Sequence, residues 1–324
     1  MKVCLIKTSS MGDVIHTLPA LTDAKLAIPN LQIDWVVEPA FAEIPTWHHA
    51  VRKVIPFALR QWRKSPFSAQ TRQQWQAFKA RLQAENYDAV IDAQGLIKSA
   101  LFATRLAKGA KYGYDRHSIR EPLATFFYDH TFSISYQQHA VERIRQLFAQ
   151  TLGYTLPKTI GDYGIAANFS QFAKNSENLT ACKPYVLAIH ATTRADKHWS
   201  EQAWAELFGL LVQQGLEIHL PWGNDTERAR AERLAQNSSQ IKVLPKLTLS
   251  ELAVEILQAQ GIVSVDTGLS HLTASLDKPN VILYGATDPN LIGGYGRSQA
   301  YIVEKGMATI LPHQVFEKLM AIMP

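Results

Sequence analysis

The sequence predicts an α/β protein of two domains, each a Rossmann-like, doubly wound parallel sheet, the two facing a central cleft. Three observations carry the prediction. Strand-like apolar runs alternate with helix-periodic stretches in both halves, the pattern of parallel strands joined by helical crossovers. At 324 residues the chain exceeds the size at which one core stops growing, so two cores are expected. Between the halves, residues 153–181 contain Pro157, Gly161, Gly164 and a polar run at 174–178, the composition of an interdomain connection. The expected division is a first domain at 1–160, a linker region at 161–182 and a second domain at 183–324, whose last helix is open to packing back on the first.

The first strand spans residues 3–6, Val3-Cys4-Leu5-Ile6, and runs into Lys7-Thr8-Ser9-Ser10-Met11-Gly12-Asp13. Such a turn lies at the carboxyl edge of a sheet, where open α/β folds bind ligands, and Asp13 is its first candidate for chemistry. Ser10 and Asp13 also have helix-cap spacing. Pro19 fits badly inside a helix begun at Met11, so Gly12 and Asp13 are expected in an irregular turn unless the helix kinks or restarts. Further strands are predicted at 32–37, 54–57 and 89–92, with Asp92, Gln94, Gly95 and Lys98 placed after the last as Asp13 is after the first. The second half has strands at 185–190, 216–220, 241–244, 262–265 and 281–284. Its helices include 201–214, capped by Ser200, and 250–259, preceded by Thr248 and Glu251 at capping-box spacing.

Composition narrows the function. An apolar content of 47% is globular, and no stretch approaches the ~18 apolar residues of a membrane span. Lys2 and Lys7 bracket too few apolar residues for a signal peptide, so the protein is expected in the cytoplasm. Two cysteines, Cys4 and Cys182, fit neither a disulfide framework nor a metal cluster. The net charge of +5 is unevenly placed: residues 44–84 hold no Asp or Glu but carry Arg52, Lys53, Arg60, Arg63, Lys64, Arg72, Lys79 and Arg81, interleaved with Trp47, Phe57, Trp62, Phe67, Trp75 and Phe78. Such a surface suits an anionic headgroup, and nucleic acid satisfies the same charges. The alternative is a solvated helix face whose aromatics belong to the core.

In the second half, residues 263–272, VSVDTGLSHL, form a strand that breaks at Asp266-Thr267-Gly268 into a helix. Free N–H groups at such a helix start attract phosphate, and Thr267, Ser270 and His271 add side-chain donors. An Asp/Thr cap followed by a satisfied histidine explains the same residues. The strand ending at His190 opens into Thr192, Thr193, Arg194 and Lys197, two hydroxyls and two cations suited to a diphosphate. The loop Pro221-Trp222-Gly223-Asn224-Asp225-Thr226-Glu227 lies at the same predicted edge, where Glu227 can accept from ribose hydroxyls. No GxGxxG, Walker or Gly-x-Ser-x-Gly pattern is present, and no Asp-x-Asp pair. A diphosphate here is therefore expected to be neutralised by cations and helix dipoles, with no metal and no cofactor.

Taken together, KTSSMGDVIHTLPAL, DAQGLIKSA, HATTRADKHW, LPWG, VSVDTGLSHL and YGATDPNLIGGYG resemble the lipopolysaccharide heptosyltransferases of glycosyltransferase family 9, over essentially the whole chain. The resemblance implies a GT-B fold with an acceptor-binding first domain and a donor-binding second one. It further implies ADP-L-glycero-β-D-manno-heptose as donor and the first Kdo of Kdo2-lipid A as acceptor, at the inner leaflet of the cytoplasmic membrane; a peripheral monomer that binds no nucleic acid is expected. Asp13 stands at the family's proposed general base and Lys197 at the cation that stabilises departing ADP. Thr192, Thr193, Glu227, Leu247, Asp266, Thr267, Gly268 and His271 match donor positions. Ser10, Gly12, Arg60, Arg63, Lys64, Gln94 and Arg120 fall to the acceptor. Ser200 and Ala286 stand where proline is expected, and Leu247 where methionine is, departures that touch loop stiffness and the adenine rim. The implied reaction is one inverting displacement. A metal-free nucleotide-sugar epimerase of similar architecture, and a non-catalytic module for anionic membranes or nucleic acid, are the alternatives.

Overall fold

The computed structural model describes residues 1–169, 183–285 and 287–324, in two compact units, Met1–Gly164 and Ile165–Pro324. Most of the expected linker, 170–182 with Cys182, and Ala286 lie outside the described residues.

The first unit holds six parallel strands: β1 (Lys2–Ile6), β2 (Gln32–Val37), β3 (Val51–Pro56), β4 (Ala89–Asp92), β5 (Lys111–Tyr114) and β6 (His130–Phe132). Their order is β3-β2-β1-β4-β5-β6. β1 and β4 sit in the middle because they are apolar on both faces; Val3, Cys4, Leu5, Ile6, Val90 and Ile91 are wholly buried. Ile6 pairs with Val36 on one side and Asp92 on the other, so the carboxyl ends of β1 and β4 are level. The winding reverses between these two strands. On one face the helix Ala69–Gln83 sets Phe78 and Leu82 into a core with Cys4, Ile6, Val90, Phe57 and Trp62. The helix Ala140–Leu152 packs against Leu18–Ala27, and its Arg145 is buried, with Nε 2.7 Å from Asp23 Oδ2.

The second unit repeats the design with β7 (Tyr185–Ile189), β8 (Glu217–Leu220), β9 (Ile241–Val243), β10 (Gly261–Val265), β11 (Asn280–Tyr284) and β12 (Gln299–Val303), ordered β12-β11-β10-β7-β8-β9 and all parallel. Counted within its own unit, each sheet therefore runs 3-2-1-4-5-6, the order of a dinucleotide-binding fold. The last helix, Pro312–Ile322, lies on β10, β11, β12 and the helix Glu201–Gln213, with Val315 and Leu319 in the core. Gly261 permits this approach, since a Cβ there would stand 2.7 Å from Met323 Sδ.

Three strands were not expected from the sequence. β5, β6 and β12 lie at or next to a sheet edge and read KYGY, HTF and QAYIV, with few wholly buried residues. The irregular turn expected at Gly12-Asp13 is instead a short helix, Met11–Ile15, and the chain restarts as a second helix at Leu18 with Pro19 in its first turn, where no N–H is needed. Both predicted caps of the second unit are present: Ser200 Oγ accepts from Ala203 N, and Thr248 and Glu251 form a capping box.

Candidate active site

In the first unit the turns after β1 and β4 meet at the point where the winding reverses. Asp92, the last residue of β4, is completely buried; its Oδ1 accepts from Gln94 N (2.9 Å) and Gly95 N (3.0 Å), and its Oδ2 from Thr104 Oγ1 (2.6 Å). Burial pushes its carboxyl above the usual range, against the pull of these donors. The turn so fixed presents Gln94, whose Oε1 accepts from Thr8 N (2.7 Å), Thr8 Oγ1 (3.1 Å) and Ser9 N (3.1 Å). Gln94, expected to contact an acceptor, thus first holds the turn that carries Asp13. Gly95 has φ +67°, a conformation that favours glycine.

Asp13 follows in the short helix. Its Oδ2 accepts from Ser10 N and Ser10 Oγ, both at 2.8 Å, and its Oδ1 lies 3.4 Å from the ammonium of Lys7. Protein atoms crowd the carboxylate, yet 44% of the side chain stays exposed. Burial works against its charge, but Lys7 and the Ser10 hydrogen bonds outweigh it and hold the carboxyl below the ordinary aspartate range. Beside this turn, Thr8, Ser9, Glu38, Phe57, Leu59, Arg60, Arg63 and Lys98 line a pocket. Arg60 Nε lies 3.8 Å from Glu38, whose carboxyl is pushed up by burial against the pull of Arg60 and Lys98. Arg60 and Arg63 were expected on the acceptor side; Lys64 and Arg120 are exposed and do not line this pocket. Arg120 precedes Glu121, which caps the helix Ile97–Phe102 by accepting from Ile97 N at 2.7 Å. The aromatics of residues 44–84 mostly belong to the core, Trp47, Phe57, Trp62 and Phe78 being buried, while Phe67 is exposed.

The second unit has a matching junction between β7 and β10. Lys197 Nζ is 2.5 Å from Asp266 Oδ2, and both side chains are largely buried. Thr192 Oγ1 donates to Asp266 O (3.2 Å), and the His198 Nε2 atom lies 2.9 Å from Thr192 O, tying the loop after β7 to the loop after β10. Thr267 starts the helix Gly268–Ser275 without a side-chain cap of its own, and Ser270 Oγ donates back to Thr267 O. His271 is buried on this helix. Beneath the loop, burial pushes His190 down to about 4, so it is neutral at pH 7. Thr193 is exposed beside Arg194, which pairs with Asp196. Glu227 is spent on its own loop: Oε2 accepts from Gly223 N (2.8 Å) and Oε1 from Asn224 Nδ2 (2.7 Å). Trp222 Nε1 donates to Leu244 O (2.7 Å), joining that loop to the one bearing the half-buried Leu247. Among the described residues no group of three His, Cys, Asp or Glu side chains is placed to hold a metal, and no helix is long and apolar enough to cross a membrane.

The family model described as glycosyltransferase family 9 (heptosyltransferase) matches residues 75–316. The chain belongs to that family. It is 57% identical over 300 residues to lipopolysaccharide heptosyltransferase 1 of Escherichia coli K12, covering 92% of both chains, and 50% identical to the protein of the same name from Pseudomonas aeruginosa, covering 93% of this chain and 83% of that one. Among solved structures, E. coli heptosyltransferase WaaC with ADP superposes with a TM-score of 0.95 at 52% identity, covering 99% of this chain and 100% of that one. The same enzyme with ADP-2-deoxy-2-fluoro heptose gives 0.92 at 51% identity, covering 99% of each chain. The fold is GT-B, and this member of family 9 is a glycosyltransferase.

Lys7 was missed as a site residue. The one signal for it in the sequence is a lysine placed directly after a wholly apolar strand.

Proposed function

We propose that the enzyme moves L-glycero-D-manno-heptose from ADP-heptose to the first Kdo of Kdo2-lipid A, with inversion, working as a monomer on the inner face of the cytoplasmic membrane. The observation that carries this reading is the ionised Asp13 at the reversal point of the first sheet, braced by Lys7 and Ser10 beside the cationic pocket of Arg60, Arg63 and Lys98. A carboxylate so held takes a proton from a sugar hydroxyl, and guanidinium and ammonium groups suit the Kdo carboxylate and lipid A phosphates. Lys64 and Arg120, both exposed outside this pocket, are assigned to the acceptor as further cations. In the second unit Thr192, Thr193, Lys197 and the helix start at Thr267-Gly268 take the diphosphate, with Asp266 holding Lys197 in place. Glu227 and Leu247 border the nucleoside.

In the reaction the Kdo hydroxyl oxygen attacks the anomeric carbon while its proton passes to Asp13, and the bond to ADP breaks with its electron pair leaving on the diphosphate. Charge gathers on that leaving group as the sugar becomes oxocarbenium-like, and Lys197 with the helix dipole offsets it there. The test is mass spectrometry of Kdo2-lipid A incubated with enzyme and ADP-heptose in chelator. One added heptose supports the reading; donor conversion without acceptor, or no acceptor-dependent turnover, overturns the proposed transfer. Asp13→Ala is expected to cut turnover by ~10² to 10⁴-fold with ADP-heptose affinity nearly unchanged.

A further inference from the structure

The two oxygens of Asp13 are not equivalent. Oδ2 is occupied by two donors from Ser10, at 2.8 Å each. Among the described residues Oδ1 faces the Lys7 ammonium, at 3.4 Å, longer than a good N–H···O bond and so chiefly an ionic contact. Lys7 itself is 7% exposed in its side chain, and its one short bond is donated to Ala93 O, 3.1 Å away in the turn after β4. A lysine at that depth is expensive to bury, and its reach across two strands points the charge at a single target.

We propose that Lys7 is a positioning residue for the transfer: anchored on Ala93 O, its ammonium is the fixed counter-charge that leaves Asp13 Oδ1 as the oxygen accepting the acceptor's proton. The proposal rests on Asp13 being the base. The proton moves from the acceptor hydroxyl to Oδ1, Lys7 keeps its own, and the attacking oxygen gains the carbon that ADP loses. The other groups around Asp13 do not replace this charge. Tyr114, at the end of β5, senses Asp13 and is pushed by burial above the ordinary tyrosine range, hence neutral. The neighbouring helix Glu43–Thr46 brings an acid, Glu43, and His16, just after the short helix, meets His139 edge to face.

Lys7→Gln keeps a donor for Ala93 O and removes the charge; Lys7→Met removes both. In both variants the acid limb of kcat/KM is expected to move up by about one pH unit or more, the effect of deleting an opposite charge at this range. Turnover near neutrality should fall by about tenfold or more, with donor KM unchanged. Independently of turnover, the Asp13 carboxyl carbon, assigned by its absence in Asp13→Asn, is followed by ¹³C NMR titration in wild type and both variants. A parallel upward shift supports the proposal. A limb and a titration that stay in place, whether or not the rate falls, overturn it. Because the titration needs no acceptor, a failed heptose assay would sink the proposed heptose-to-Kdo transfer, while the titration would still report whether Lys7 governs Asp13.

Discussion

A carboxylate proposed to take a proton must be ionised where the enzyme works, and Lys7 and the Ser10 hydrogen bonds hold Asp13 so against the effect of burial. Its folded pKa is depressed, so the charged form persists below the ordinary aspartate value of about 3.9 and is lost only as pH falls through the lower folded value. The wild-type kcat/KM profile is accordingly expected to be flat from neutrality down to about pH 4, with its acid limb below that; a limb centred near 6 would assign the base to a histidine. A second charge at this scale bears on stability. Arg145 is 1% exposed and joins Asp23 (2.7 Å) to Glu142 (3.0 Å). Removing one partner of a buried pair costs about 3 to 5 kcal/mol, and because Glu142 remains, Asp23→Ala should fall at the lower end. Urea unfolding measures it, and an unchanged midpoint would remove this pair from the account of the first core.

The turn after β4 shows how one element fixes another. Asp92 fixes the backbone of Gln94 and Gly95, and Gln94 in turn fixes Thr8 and Ser9, so the strand that ends in Asp92 governs the turn that presents Asp13. Gly95→Ala must keep φ near +67° with its new Cβ 3.0 Å from Ile119 Cγ1, a cost of about 1 to 3 kcal/mol. It should lower both thermal stability and turnover, whereas Gln94→Ala should lower turnover about tenfold with little change in ADP affinity. Loss of ADP binding in Gln94→Ala would contradict that separation. The sequence announced these elements unevenly. β1, β4, β7 and β10 were legible because each carries an apolar run buried on both faces, and the Ser200 and Thr248 caps because capping chemistry is local. β5, β6 and β12 were not, since strands at or next to a sheet edge need no apolar run. Lys7 and the double duty of Gln94 were hidden for a related reason: each acts across two strands, and neither pairing leaves a mark in the spacing of residues.

At the scale of the molecule, two sheets of identical order use their reversal points differently. That of the first sheet gathers a carboxylate with cations suited to an anionic sugar; that of the second gathers Lys197, two threonines and a helix start suited to a diphosphate. Such a division predicts separable ligand footprints. Hydrogen exchange with ADP is expected to slow amides at 192–197 and 266–270, where backbone N–H groups meet phosphate, and to leave 8–13 and 94–98 at their free rates. A short Kdo acceptor should do the reverse, protecting 8–13 and 94–98 and the cationic stretch at 60–64, and its effect should weaken with salt because exposed charges are screened within about 8 to 10 Å. The measurement discriminates because a protein that used both junctions for one nucleotide would show protection in both units with ADP alone, and that outcome would require the acceptor assignment of the first unit to be abandoned.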